Sequence, residues 1–96
     1  MLVNMMDWQV AGPNGSETVH IIELFGDRYD FTPSEKDVLR LHALFGFQDE
    51  EIITIMRIST PILENLLTCM MGKTRTHSIR ELQALFIRYL LQKLPT

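Results

Sequence analysis

The sequence predicts a mainly α fold: a four-helix helix-turn-helix domain over residues 31–96, preceded by a short β-hairpin over residues 1–30. Three observations carry this expectation. Apolar residues recur at helical spacing from Val38 to Leu90, capping signals divide that run into four, and the first thirty residues are rich in β-branched and aromatic types around a cluster of turn formers. A chain of 96 residues has room for one core of this kind.

In the hairpin, "DWQVA" and "TVHIIEL" form the strands and "GPNGS" the turn between them. "FGDRYDF" supplies a second turn at Gly26 and Asp27, with a short third strand from Tyr29 to Phe31. A ribbon this small is marginal alone, so Trp8, Val10, Val19 and Ile21 are expected to pack on helices or on a second chain.

The helices follow from Thr32 onward. Thr32 caps the first, Pro33 takes its first position, Glu35 closes a capping box and Gly46 stops it, with Val38, Leu41, Leu44 and Phe45 as its buried stripe. The second, "DEEIITIM", opens on three acidic residues that suit the positive end of a helix dipole, and turns Ile52, Ile53 and Met56 inward. Ser59 and Thr60 offer caps for the third, with Pro61 at its first position and Leu63, Leu66, Leu67 and Met70 on its inner side. Ser78 and Glu81 make a capping box for the fourth, which carries Ile79, Leu82, Leu85, Phe86, Tyr89 and Leu90 and stops at Pro95. Only a few residues around Arg57 to Thr60 join the second and third helices, the spacing of a helix-turn-helix.

Composition narrows the function. Cys69 is the single cysteine, and His20, His42 and His77 are scattered, so neither a disulfide nor metal-ligand spacing is present. No glycine-rich phosphate loop follows a strand, and Ser16, Ser34, Ser59 and Ser78 form no catalytic constellation with the histidines; no enzyme and no cofactor are expected. Arg88 and Lys93 interrupt the longest apolar run, and "MLVNMMDWQV" lacks the basic start and apolar core of a signal peptide, so a cytoplasmic protein without a membrane partner is expected. The formal charge of −3 is uneven. Residues 1–30 set Arg28 against Asp7, Glu17, Glu23, Asp27 and Asp30, a net of −4, and residues 31–96 set eight basic against seven acidic residues, a net of +1.

The run "FTPSEKDVLRLHALFGFQDEEIITIMRIS" resembles the opening of the LuxR/NarL-type helix-turn-helix domain of bacterial transcription regulators: a capped Thr-Pro-x-Glu helix with a Val-Leu core, then Gly, Glu-Ile and Ile-Ser. "MMGKTRTHSIREL" is similar to that domain's passage from its third helix to its fourth, and the likeness spans residues 31–86. The departures fall on one surface. Where the family has Thr-Val-Lys-x-His, this chain has Ile62, Leu63, Glu64, Asn65 and Leu66; Glu50 stands where a basic residue is usual, and Ile79 where an Arg is.

The resemblance implies a dimeric DNA-binding transcription regulator whose third helix enters the major groove. Thr60, Asn65 and Thr68 are then the residues facing bases, Asn65 by a bidentate pair with adenine, and Arg57, Lys73 and Arg75 the phosphate contacts. His77 and Arg80 add to the basic residues around that helix. Leu82, Leu85, Phe86 and Tyr89 are the expected dimer interface, with a second copy or a related regulator, one edge of that stripe packing in the core against the first of the four helices and the other meeting the partner. The carboxylates make intrinsic affinity weak, since each missing phosphate contact removes a counterion-release contribution. With no room in 96 residues for a receiver or ligand-binding domain, the signal is expected from the ribbon, a partner or the level of expression, and no small-molecule substrate is expected. The alternative is a degenerate helix-turn-helix that pairs with or inhibits another regulator without touching DNA.

Overall fold

The computed structural model describes the backbone of residues 13–93 and the side chains of residues 19–93. It is helical throughout: α1 (Pro13–Arg28), α2 (Pro33–Leu39) running on into a π-helical segment (Arg40–Leu44), α3 (Asp49–Met56), α4 (Thr60–Thr74) and α5 (Ile79–Lys93). The four helices expected from Thr32 onward are α2 to α5. The β-hairpin is not there: "TVHIIEL" is the middle of α1, and no strand occurs among the described residues. "DWQVA" with Trp8 and Val10 lies outside them.

Two features of α1 explain why helix wins over local β propensity. Pro13 sits at the first position, where its fixed φ suits a helix and its missing N–H costs nothing. Ile21, Ile22 and Phe25 then fall on one side at helical spacing and are buried, whereas His20 and Leu24 are exposed. Tertiary burial of that side overrides the branched residues' preference. Gly26 and Asp27 belong to the last turn of α1, and the chain reverses instead at Tyr29 and Asp30. Asp30 takes the left-handed conformation, φ 63°. The Phe31 N–H then donates to Gly26 O at 2.8 Å and the Asp30 N–H to Asp27 O at 3.4 Å, which uses up carbonyls the helix end would leave bare.

Phe25 is the hub of the core. Its ring lies 4.8 Å from Tyr29, 5.8 Å from Phe31, 5.3 Å from Phe86 and 5.3 Å from Tyr89, the last three edge-on. α1 thus closes one side of the same core to which Val38, Leu41, Ile52, Leu63, Met70 and Leu82 contribute.

The capping box of α2 forms as its sequence implies: the Glu35 N–H donates to Thr32 Oγ1 at 3.2 Å and the Thr32 N–H to Glu35 Oε1 at 2.7 Å. Past Leu39 the helix widens, with one extra residue in the turn, and ends at Gly46, φ 67°. Val38 and Leu41 are fully buried, and Leu44 and Phe45 only partly, because the wider turn rotates them off the stripe. Ser78 caps α5 through the Glu81 N–H at 3.1 Å, and the Glu81 carboxylate accepts from the N–H of His77 at 2.7 Å.

A cationic strap holds α1 to α2. Lys36 Nζ donates to Glu23 at 3.0 Å and to Asp27 at 2.9 Å, and Arg40 reaches Glu23 and Asp37 at 3.5 and 3.4 Å. The Lys36 stem crosses directly over Gly26, where an added Cβ would lie 2.6 Å from its Cε.

Candidate nucleic-acid interface

Three residues, Arg57, Ile58 and Ser59, separate α3 from α4, and the chain bends by 107° between the two helices. Both values fall within the range of a helix-turn-helix. The turn is built locally. Arg57 adopts the left-handed conformation, φ 58°, which lets the Ile58 N–H reach Ile53 O at 3.1 Å and stops α3. Ser59 starts α4 by accepting the Ile62 N–H on Oγ at 3.4 Å, so Thr60, offered as a second cap by the sequence, is the first helical residue.

α4 divides cleanly into two faces. Leu63, Leu67, Met70 and Thr74 are buried, and Thr60, Pro61, Ile62, Glu64, Asn65, Thr68, Cys69 and Gly72 are exposed. At 3.6 residues per turn, Pro61, Glu64, Asn65, Thr68 and Gly72 share an arc of about 100°, with Thr60 about 40° beyond its Glu64 side. Thr60, Asn65 and Thr68 therefore reach one outward surface, and Glu64 stands among them. The Thr68 hydroxyl donates to Glu64 O at 2.8 Å, which leaves it an acceptor toward a ligand.

The basic residues separate into two kinds. Arg57 and Arg75 are exposed at the C-terminal ends of α3 and α4 and form no ion pair among the described residues. Lys73 is engaged inside the protein: its Nζ lies 2.6 Å from Glu35 Oε1 and donates to Asp30 O at 2.9 Å. The Glu35 side chain is 3% exposed, so this carboxylate binds the cap of α2 and the end of α4 at one point. Sequence spacing could not reveal that Lys73 has an intramolecular partner 38 residues away. Asp49, Glu50 and Glu51 are all exposed on the first turn of α3, so with Glu64 the open charge on this helix pair is predominantly negative.

The apolar stripe of α5 is divided between core and surface. Leu82 and Phe86 are 2% and 1% exposed and belong to the core of the single chain; Leu85 and Tyr89 pack partly against it, Tyr89 on Phe25. α1 packs on Phe86 and Tyr89 of this stripe through Phe25. What remains outward is Ala84 with Ile87 and Leu91, the last two 50% and 65% exposed. Once α1 is placed as a helix over Leu82 and Phe86, these are the apolar residues of α5 left on the opposite side. No single helix among the described residues is long and apolar enough to cross a membrane.

Comparison with known proteins finds no matching family model, no similar curated protein and no matching solved structure. The likeness to LuxR/NarL-type domains therefore rests on the residues quoted above.

Proposed function

We propose that the chain is a small LuxR-like helix-turn-helix regulator that meets duplex DNA weakly, as a dimer, with α4 toward the major groove. The single observation that carries this reading is the 107° bend across a three-residue turn with the outward side of α4 uncovered. In this reading Asn65 faces bases, Thr60 and Thr68 flank it, and Arg57 and Arg75 grip phosphates on either side. Lys73 contributes to the fold and not to the grip. With two phosphate contacts per copy, log K should fall against log salt with a slope of about −2 per copy and twice that for a dimer. Anisotropy of a labelled mixed-sequence duplex over rising salt measures the slope. Absence of binding at the lowest salt would overturn the proposal.

A second reading has its own support: Lys73 is engaged by Glu35, and Asp49, Glu50, Glu51 and Glu64 are all exposed on the α3–α4 pair. In that case the domain docks on another regulator and holds it away from DNA. A steep negative salt slope for duplex binding would remove this alternative.

A further inference from the structure

Of the nine Lys and Arg residues, Lys36, Arg40 and Lys73 are bound to carboxylates. Three of the other six converge away from α4. Arg28 at the end of α1, with Arg88 and Lys93 near the end of α5, lines a cleft of about 440 Å³ together with Tyr29, Tyr89 and Gln92. Among the described residues no acidic side chain lines it, and none of the three cations has an ion-pair partner. In a chain of net charge −3 such a concentration of free positive charge calls for an explanation.

Compensation of helix dipoles accounts for part of it, since Arg28 and Lys93 lie in last turns. It does not account for Arg88, more than a turn before the end of α5. Nor is much negative charge left at the end of α1, where Tyr29, Asp30 and Phe31 donate to the carbonyls of Phe25, Asp27 and Gly26. Aromatic rings contact two of the three cations. Arg28 lies 5.8 Å from the centroid of Tyr29 and Lys93 5.3 Å from that of Tyr89, and both rings are braced against Phe25. Each ring thereby favours a position of its cation at the rim, by about 0.5–1 kcal/mol for an exposed contact.

We infer that this cleft binds a diphosphate-type anion, free or attached to a nucleoside. Three cations exceed the charge of about −1.5 to −2 that a single terminal phosphate carries near neutral pH and suit a group with a second phosphate, and the guanidinium planes of Arg28 and Arg88 suit bidentate contact with phosphate oxygens. The Gln92 amide adds a neutral donor. The volume lies within the range of small-molecule sites, and a monophosphate would leave part of the charge unmatched. This site is separate from the α4 surface and does not depend on the reading of that surface.

The test is calorimetric titration of the full chain at low ionic strength with inorganic pyrophosphate and, separately, with a nucleoside diphosphate. Arg88→Ala and Arg28→Ala should each weaken binding about tenfold or more, whereas Arg80→Ala, which removes an exposed cation outside the cleft, should leave it unchanged. Equal affinity for the two ligands supports a site that reads phosphates alone, and tighter binding of the nucleotide supports one that also holds the nucleoside. Circular dichroism checks that each variant retains its helices; should Arg28→Ala unfold, Arg28→Lys is the substitute, with a smaller loss expected. Binding of neither anion, or equal weakening by Arg80→Ala, overturns the inference.

Discussion

Lys73 Nζ and Glu35 Oε1 stand 2.6 Å apart, joining the last turn of α4 to the first turn of α2 across 38 residues of sequence. The pair is asymmetric, with the Glu35 side chain 3% exposed and that of Lys73 31%. Removing the cation strands a buried carboxylate that retains only its bond to the Thr32 N–H.

Lys73→Met should therefore destabilise the fold by about 2–3 kcal/mol, less than a fully buried pair would lose because Lys73 is partly in water. Glu35→Gln in the same chain should recover part of that loss, since a neutral amide needs no counter-charge. Urea unfolding of the two single variants and the double gives the coupling directly. A loss below about half a kcal/mol for Lys73→Met would place it among ordinary surface residues.

Three helix ends carry a charged residue in the left-handed conformation that glycine adopts without strain: Asp30 at φ 63°, Arg57 at φ 58° and Arg75 at φ 58°. Arg57→Gly and Arg75→Gly should each stabilise the protein by about 0.5–1 kcal/mol in thermal unfolding. The same changes should reduce duplex affinity and flatten its salt slope by about one unit each per copy. A variant that gains stability and loses DNA would separate the two roles of one residue; unchanged duplex binding would take Arg57 and Arg75 off the phosphates.

The strap between α1 and α2 ties part of the alkaline stability to Lys36. Hydrogen bonds to Asp27 first and Glu23 second raise the Lys36 amine above the ordinary lysine value, against the opposing effect of burial. Its contribution is complete below the unfolded-state value of about 10.4 and is lost as pH rises through the higher folded-state value. Lys36→Met should be less stable than the parent at neutral pH, with the gap closing above that range in urea titrations run at successive pH. Gly26→Ala should lower stability at every pH, because its methyl meets the Lys36 stem.

Glu50→Lys with Glu64→Lys reverses two carboxylates on the exposed surface of the helix pair. If α4 meets DNA, the double variant should bind non-specific duplex more tightly and with a steeper salt slope, which gel shift or anisotropy will read. An affinity equal to that of the parent would remove α4 from the groove.

Most of residues 32–93 was legible because their signals are local. The Thr32–Glu35 box, the Ser59 and Ser78 caps, Gly46 and the 3.6-residue stripes each depend on neighbours within a turn or two. α1 was not, because the β-branched run Val19, Ile21, Ile22 speaks for a strand locally and for a helix only once Phe25 has partners from α5. The π segment leaves no mark in composition that distinguishes it from the α-helix it extends. At the candidate site, the exposure of Thr60, Asn65 and Thr68 followed from helical period. The engagement of Lys73 and the covering of Phe86 and Tyr89 by α1 depended on segments distant in sequence, which spacing does not encode.

The aromatic hub also sets an order of events during synthesis. Phe25 leaves the ribosome about 60 residues before Phe86 and Tyr89, which complete its surroundings. Until then Ile21, Ile22 and Phe25 have only part of their covering, and α1 is an amphipathic helix waiting for its far neighbour. A ribosome stalled before α5 would display that apolar surface to whatever chaperone or partner is at hand.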